Sequence, residues 1–160
     1  MDGQPSEPQI LLFYEFLYFF AHLTLRSGVA RGLTASQVKK FQSYLGPLLA
    51  STAVDTFFLH WSTELKAKMM GEFFEKLNDA EIEYAECQGG LVSRDDPFSR
   101  DTLTGRLAVN VVELWERSGD QVAKTAVVSA VTGALKRVDL VRLVSEVVAK
   151  IDQVENEPGI

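Results

Sequence analysis

The sequence is poor in the residues that build covalent or metal-bound frameworks. Its 160 residues include one cysteine, Cys87, and two histidines, His22 and His60. A single cysteine excludes an intramolecular disulfide framework and a zinc site built from cysteines. A carboxylate-bridged two-metal site in a helical bundle needs Glu-x-x-His pairs, but Phe19 and Phe57 stand three places before the two histidines. We therefore predict no metal and no other cofactor.

The sequence also lacks the local patterns of the common catalytic classes. Gly89-Gly90 is not followed by the Lys and Ser or Thr of a phosphate-binding loop, and no segment resembles a nucleophile elbow. We therefore assign no catalytic residues and favour a non-enzymatic role.

Basic charge is scarce, because 16 Lys and Arg residues face 22 Asp and Glu residues and give a net charge of −6. Nucleic-acid binding depends on neutralising phosphates with Lys and Arg, so we exclude nucleic acid as a partner. The hydrophobic fraction of 46% is ordinary for a globular protein and excludes a disordered chain.

The longest apolar run, Ile10 to Leu25, is too short for a membrane span, which needs about 20 apolar residues. Glu15 within it would cost roughly 2.5–3.5 kcal/mol at the centre of a bilayer. A signal peptide begins with positive charge, whereas Asp2 and Glu7 precede this run without any Lys or Arg. We predict a buried helix, no membrane contact and a cytoplasmic location, where a lone cysteine stays reduced.

The polar residues of this helix are spaced 3, 4 and 4 apart, as Glu15, Tyr18, His22 and Arg26. At about 100° per residue they form one narrow stripe, which we call the polar seam. One interpretation is that the polar seam faces water while the rest of the helix is packed. The other is that it lines a pocket, with His22 beside a carboxylate.

The helical periodicity of the whole chain predicts an all-α, single-domain bundle of about six or seven helices around this first helix. The helical domain is expected over 9–154, between flexible tails at 1–8 and 155–160. The first helix should run from Gln9 to Ser27, with Gly28 near its end. A capping box at Thr34 and Gln37 should start the second helix, which Gly46-Pro47 should break.

The next predicted helix begins at Ser62 and has two distinct faces. Its buried stripe is expected at Leu65, Met69, Phe73, Leu77, Ala80 and Tyr84, and its solvated face at Glu72, Glu75, Asp79, Glu83 and Glu86. Met69 and Met70 either fill gaps in the core or mark an adaptable binding surface.

The last part of the chain contains three more helical segments by the same criterion. Ser99 or Asp101 should cap a helix that ends near Ser118, and Asp120 should cap another. The apolar spacing slips near Arg137–Asp139, which predicts a break there.

The terminal helix carries a seam of apolar residues with coiled-coil-like spacing. Its members are Leu140, Val144, Val147, Ile151 and Val154. We predict that the protein acts through helix-mediated association with a protein partner or with itself, as a homodimer. The alternative is a carrier or sensor of a small apolar ligand in a cavity between helices, and an enzyme of unknown class is third.

Overall fold

The computed structural model describes residues 6–117 and 119–156. These residues form six α helices, so the predicted all-helical bundle is confirmed. The helices are α1 (Glu7–Ala30), α2 (Ala35–Phe58), α3 (Thr63–Ala85), α4 (Leu103–Leu114), α5 (Gln121–Arg137) and α6 (Leu140–Asn156). None of these helices is long and apolar enough to cross a membrane.

Helix α1 is the centre of the bundle, as the apolar run predicts. It contacts α2, α3, α4 and α6, and every residue from 10 to 28 is buried or half-buried. The rings of Tyr14 and Tyr18 each lie 5.1 Å from that of Phe73 on α3, and Phe19 lies 6.0 Å from Tyr84. These aromatic contacts set the position of α3 along the axis of α1.

Helix α1 is longer at both ends than the sequence predicts. It begins after Ser6, whose amide donates to the Gln9 side chain at 2.8 Å, so Glu7 and Pro8 belong to the helix. It ends at Ala30, before Gly32, whose φ of +95° lies in the left-handed region that favours glycine. Gly28 is instead buried within the last turn, where a Cβ atom would lie 2.5 Å from Cδ1 of Leu33. The remaining residues of the expected tails, 1–5 and 157–160, lie outside the described residues.

The break predicted at Gly46-Pro47 is wrong, because α2 continues through Pro47 to Phe58. Proline inside a helix removes one backbone hydrogen bond and costs about 3 kcal/mol. Apolar residues on both sides of it, Leu45 and Leu49, pack against the core, and Ala50 is completely buried. Their burial favours one continuous helix over two shorter ones, so tertiary packing outweighs the local cost.

Several helix ends agree with the sequence, and others differ. Ser62 and Asp120 cap α3 and α5 as predicted, and α5 and α6 meet at the break after Arg137. Helix α4 is capped by Thr102 rather than by Ser99 or Asp101. It ends at Leu114, short of the predicted end at Ser118, which lies outside the described residues.

The segment between α3 and α4 has no helix but is tied to the start of α4. The amides of Leu103 and Thr104 donate to the carbonyls of Gly90 and Leu91, both at 3.0 Å. The amide of Gly89 donates to the carbonyl of Asp101 at 2.8 Å. This anchoring fixes the first turn of α4 beside α1 and brings Asn110 and Arg106 towards the polar seam.

Candidate functional site

Helix α3 lies over the polar seam, in which Tyr18 and His22 are buried and Glu15 and Arg26 are half-buried. Tyr18 and His22 are only 5% and 8% exposed, so the surface interpretation is wrong for them. Nδ1 of His22 lies 3.1 Å from Oε2 of Glu81 on α3, and the His22 ring stacks on Tyr84 at 5.8 Å. His22 therefore does stand beside a carboxylate, but the carboxylate comes from α3.

Glu15 is held by two neutral donors from different helices. The hydroxyl of Tyr84 on α3 donates to Glu15 Oε1 at 2.6 Å, and Nδ2 of Asn110 on α4 donates to the same oxygen at 2.9 Å. A buried carboxylate is stabilised when such donors replace its hydration. The Glu15 side chain thus joins α1, α3 and α4 at one point.

The side-chain amide of Asn110 also bridges two carboxylates. Its Nδ2 donates to Glu83 Oε1 at 3.1 Å, and NH1 of Arg106 lies 3.4 Å from the same oxygen. Glu83 therefore has a cationic partner, whereas the two donors to Glu15 are uncharged.

Burial shifts the pKa values of two groups in this network, Glu15 and Tyr84. It raises the pKa of the Glu15 carboxyl above its ordinary value, and the hydrogen bonds from Tyr84 and Asn110 oppose this shift while the charge of Glu83 adds to it. Burial likewise raises the pKa of Tyr84 well above its ordinary value, and the neighbouring Glu15 carboxylate raises it further. Both shifts have the direction expected of acidic groups that are partly withdrawn from water.

Arg26, the last member of the polar seam, closes its far end. Its NH1 donates to the carbonyl of Cys87 at 2.8 Å, just after the end of α3. Cys87 is buried, and burial raises the pKa of its thiol. A raised pKa keeps this cysteine in the weakly reactive thiol form.

The polar seam divides between two pockets. Glu15 and Tyr18 line one of about 270 Å³ between α1, α3 and α4, which we call the Tyr18 pocket. His22 and Arg26 line a second of about 310 Å³, which also includes Glu81. The four residues therefore do not converge on a single site.

Two hydroxyls beside the Tyr18 pocket have no hydrogen-bond partner. They belong to Tyr14 and Tyr18, which both line the pocket and are each only 5% exposed. Buried polar atoms are partnered in the great majority of cases. The pair is therefore the most unusual polar feature of this region.

Sequence reasoning missed the partners of the polar seam. Glu83 is expected on the solvated face of α3, but it is half-buried and bonded to Asn110 and Arg106. Asn110 in the apolar repeat of α4 was a usable signal, because an amide inside an apolar face needs a partner. Glu81 gave no such signal.

The predicted apolar seam of the terminal helix, which we call the α6 face, lies partly inside the bundle. Val144 is 3% exposed and lies over Gly28, while Leu140 and Val147 are half-buried. The side chains of Ile151 and Val154 lie outside the described residues.

Metal-ligating side chains do not gather anywhere in the part of the chain that the structure describes, where no group of three His, Cys, Asp or Glu residues could hold an ion. No protein-family model, no curated protein and no solved structure matches this chain.

Proposed function

We propose that this chain is a non-enzymatic helical protein that acts by binding another protein. The observation that supports this is a group of large apolar side chains exposed where α2 joins α3. Leu59, Trp61 and Leu65 are 61%, 37% and 48% exposed, and we call them the end patch. The predicted burial of Leu65 is therefore wrong, because it lies in the first turn of α3, beyond the core. Single apolar residues on a surface are normal, but three that are exposed within residues 59–65 concentrate apolar surface at one junction, as an interaction site does.

An apolar pocket of about 150 Å³ adjoins the end patch. The Trp61 ring lies 4.2 Å from that of Phe58, which lines the pocket, and Leu65 precedes another lining residue, Met69, by one helical turn. Met69 thus lines this pocket, whereas Met70 packs against the core. A flexible thioether suits a surface that must fit a partner's side chain.

The chemistry around this pocket favours a basic amphipathic helix as the partner. An apolar cavity of about 150 Å³ in another protein holds benzene, so one Phe or Leu side chain would fill this pocket. Glu7, Glu72 and Lys76 also line it, two acids against one base, in a chain of net charge −6. A helix with an apolar anchor and flanking Lys or Arg residues complements both features.

A peptide titration tests this proposal. The probe is a synthetic helix with leucines at helical spacing and lysines elsewhere, and the reporter is Trp61 fluorescence in a Trp115→Phe background, since the chain has two tryptophans. We expect saturable binding, and weaker binding of the same peptide with glutamates in place of its lysines. Leu65→Gln should raise the dissociation constant about tenfold, which corresponds to a loss of about 1.4 kcal/mol of binding free energy.

Ile82→Gln is the matched control, because Ile82 lies on the same helix and is 67% exposed but is outside the end patch. It should change the dissociation constant by less than about twofold. Equal weakening by the two variants, or the absence of saturable binding, would contradict the proposal.

Self-association through the α6 face stays a prediction. Within one chain Val144 is already buried, so a second copy would contact Leu143 and the half-buried Val147. The end patch is more accessible than this face, which is why we place the partner there.

We further propose a cytoplasmic location, which suits a buried free thiol such as Cys87. The alternative function, a carrier of a small apolar ligand, is favoured by a pocket of about 200 Å³ between α1, α2 and α3. Its apolar lining residues are Leu25, Leu45, Leu49, Phe74 and Leu77. Saturable binding of a small apolar molecule at these residues, and none of the peptide, would favour the carrier.

A further inference from the structure

We infer that the Tyr18 pocket binds a small organic cation, an alkyl- or arylammonium ion, between its acidic side chains and the unpartnered hydroxyls of Tyr14 and Tyr18. This site lies along α1, α3 and α4 and does not include the residues of the end patch. It shares Leu11, Tyr14 and Lys76 with the pocket beside the end patch, and it differs from that pocket in Glu15, Tyr18 and Asp79.

The charges around the pocket favour a positive ligand. Three carboxylates line it, from Glu15, Asp79 and Glu83, against one cationic side chain, that of Lys76. Glu83 is paired with Arg106, but Glu15 receives only the neutral donors of Tyr84 and Asn110. An ammonium group beside Glu15 would supply the opposite charge that its own donors do not provide.

The hydroxyls and rings of Tyr14 and Tyr18 would provide further contacts to the ligand. Their hydroxyls are buried without a partner, although each can donate one hydrogen bond and accept others. A small side-chain rearrangement would bring a hydroxyl oxygen within hydrogen-bond distance of an N–H group of the ligand. That hydroxyl would then have a hydrogen-bond partner. Tyrosine rings also attract cations through their faces, and Leu11, Ala80 and Leu114 provide apolar contact for a hydrocarbon group.

The size and the ligands available favour an organic cation over a metal ion. The pocket has a volume of about 270 Å³, larger than the apolar cavity of about 150 Å³ that holds benzene. Within the described ranges no three carboxylate, thiol or imidazole groups are close enough together to hold a metal ion. A molecule with one ammonium group and a small hydrocarbon body fits both facts.

Benzylammonium is the probe, and benzyl alcohol is its uncharged control of similar size. Both are titrated into the full chain at neutral pH, with binding followed by calorimetry and by amide chemical shifts. We expect saturable one-to-one binding of benzylammonium with shifts on α1, α3 and α4 around the pocket. Benzyl alcohol should bind at least about tenfold more weakly, because it lacks the charge.

Three carboxylate variants locate the site. Glu15→Gln keeps the shape and an acceptor for Tyr84 and Asn110, and it should weaken benzylammonium binding about tenfold or more. Because Asp79 is exposed, Asp79→Asn should have little effect on folding. It should weaken benzylammonium binding by a few-fold. Glu86→Gln is the control, since Glu86 is exposed on the same chain segment but does not line the pocket.

A tyrosine variant separates binding from stability. Tyr18→Phe removes a hydroxyl that has no partner in the free protein, so it should weaken benzylammonium binding several-fold without lowering the unfolding midpoint. Equal affinity for the amine and the alcohol, no saturable binding at millimolar concentration, or equal effects of Glu15→Gln and Glu86→Gln would each overturn the inference. Peptide binding at the end patch should be unchanged in all these variants.

Discussion

At the scale of single residues, the buried hydroxyls of the tyrosines have opposite roles. The hydroxyl of Tyr84 donates to Glu15 at 2.6 Å, whereas that of Tyr18 has no partner. A net hydrogen bond to a charged group contributes about 1.5–3 kcal/mol, and an unpartnered buried hydroxyl costs about 1–3 kcal/mol. The same chemical group therefore stabilises the fold at one position and not at the other.

Replacing each tyrosine with phenylalanine tests this difference. Tyr84→Phe should lower the free energy of unfolding by about 1.5–3 kcal/mol, because it removes a donor from a buried carboxylate. Tyr18→Phe should leave it unchanged or raise it slightly. Urea unfolding of both variants gives the comparison directly, and an equal loss of stability in the two would contradict the assignment of the Glu15 network.

At the scale of elements, most features that depend on neighbouring residues were predicted from the sequence, whereas those that depend on distant residues were missed. The caps at Ser62 and Asp120 and the break after Arg137 follow from local chemistry and spacing. The passage of α2 through Pro47 does not, because packing on both sides of the proline outweighs its local cost.

The polar seam shows the same limit. Its residues were found from their helical spacing, but their partners lie far along the chain. The sequence separation is 59 for His22 and Glu81 and 95 for Glu15 and Asn110. Periodicity places a residue on a helix face and carries no information about which helix covers that face. The candidate site was therefore predicted only on its α1 side.

Two glycines make the difference between local and tertiary effects measurable. A Cβ atom on Gly105, in the first turn of α4, would lie 2.1 Å from the backbone oxygen of Ser99, whereas one on Gly71 in α3 would meet nothing within 4 Å. Alanine is favoured over glycine in a helix interior by about 1 kcal/mol. Gly71→Ala should therefore stabilise the protein by about 0.5–1 kcal/mol.

Gly105→Ala should instead destabilise it by about 2 kcal/mol or more, since the backbone of the preceding segment must move. Thermal unfolding of both variants shows whether each substitution raises or lowers the stability of the protein. Stabilisation by both substitutions would show that α4 does not approach Ser99 as closely as described.

At the scale of the whole molecule, α6 decides whether the chain completes its core alone. Val144 is 3% exposed and its neighbour Leu143 is 46% exposed, so consecutive residues face inward and outward. Val144 lies over Gly28 of α1, and Leu140 packs against the central core. By this placement α6 packs over the C-terminal end of α1.

Alanine at each of the two neighbouring positions tests whether α6 belongs to the core of its own chain. Val144→Ala should lower the free energy of unfolding by about 2 kcal/mol, because it removes two buried carbon atoms at about 0.8 kcal/mol each and leaves a cavity. Leu143→Ala, at an exposed position, should change it by less than about 0.5 kcal/mol. Both effects should be independent of protein concentration if Val144 packs on its own α1.

An unfolding midpoint that rises with protein concentration would instead show that the α6 face is buried between two copies, since association stabilises by mass action. Light scattering over the same dilution series is the second measurement, and a constant mass near 17.8 kDa would contradict the predicted homodimer.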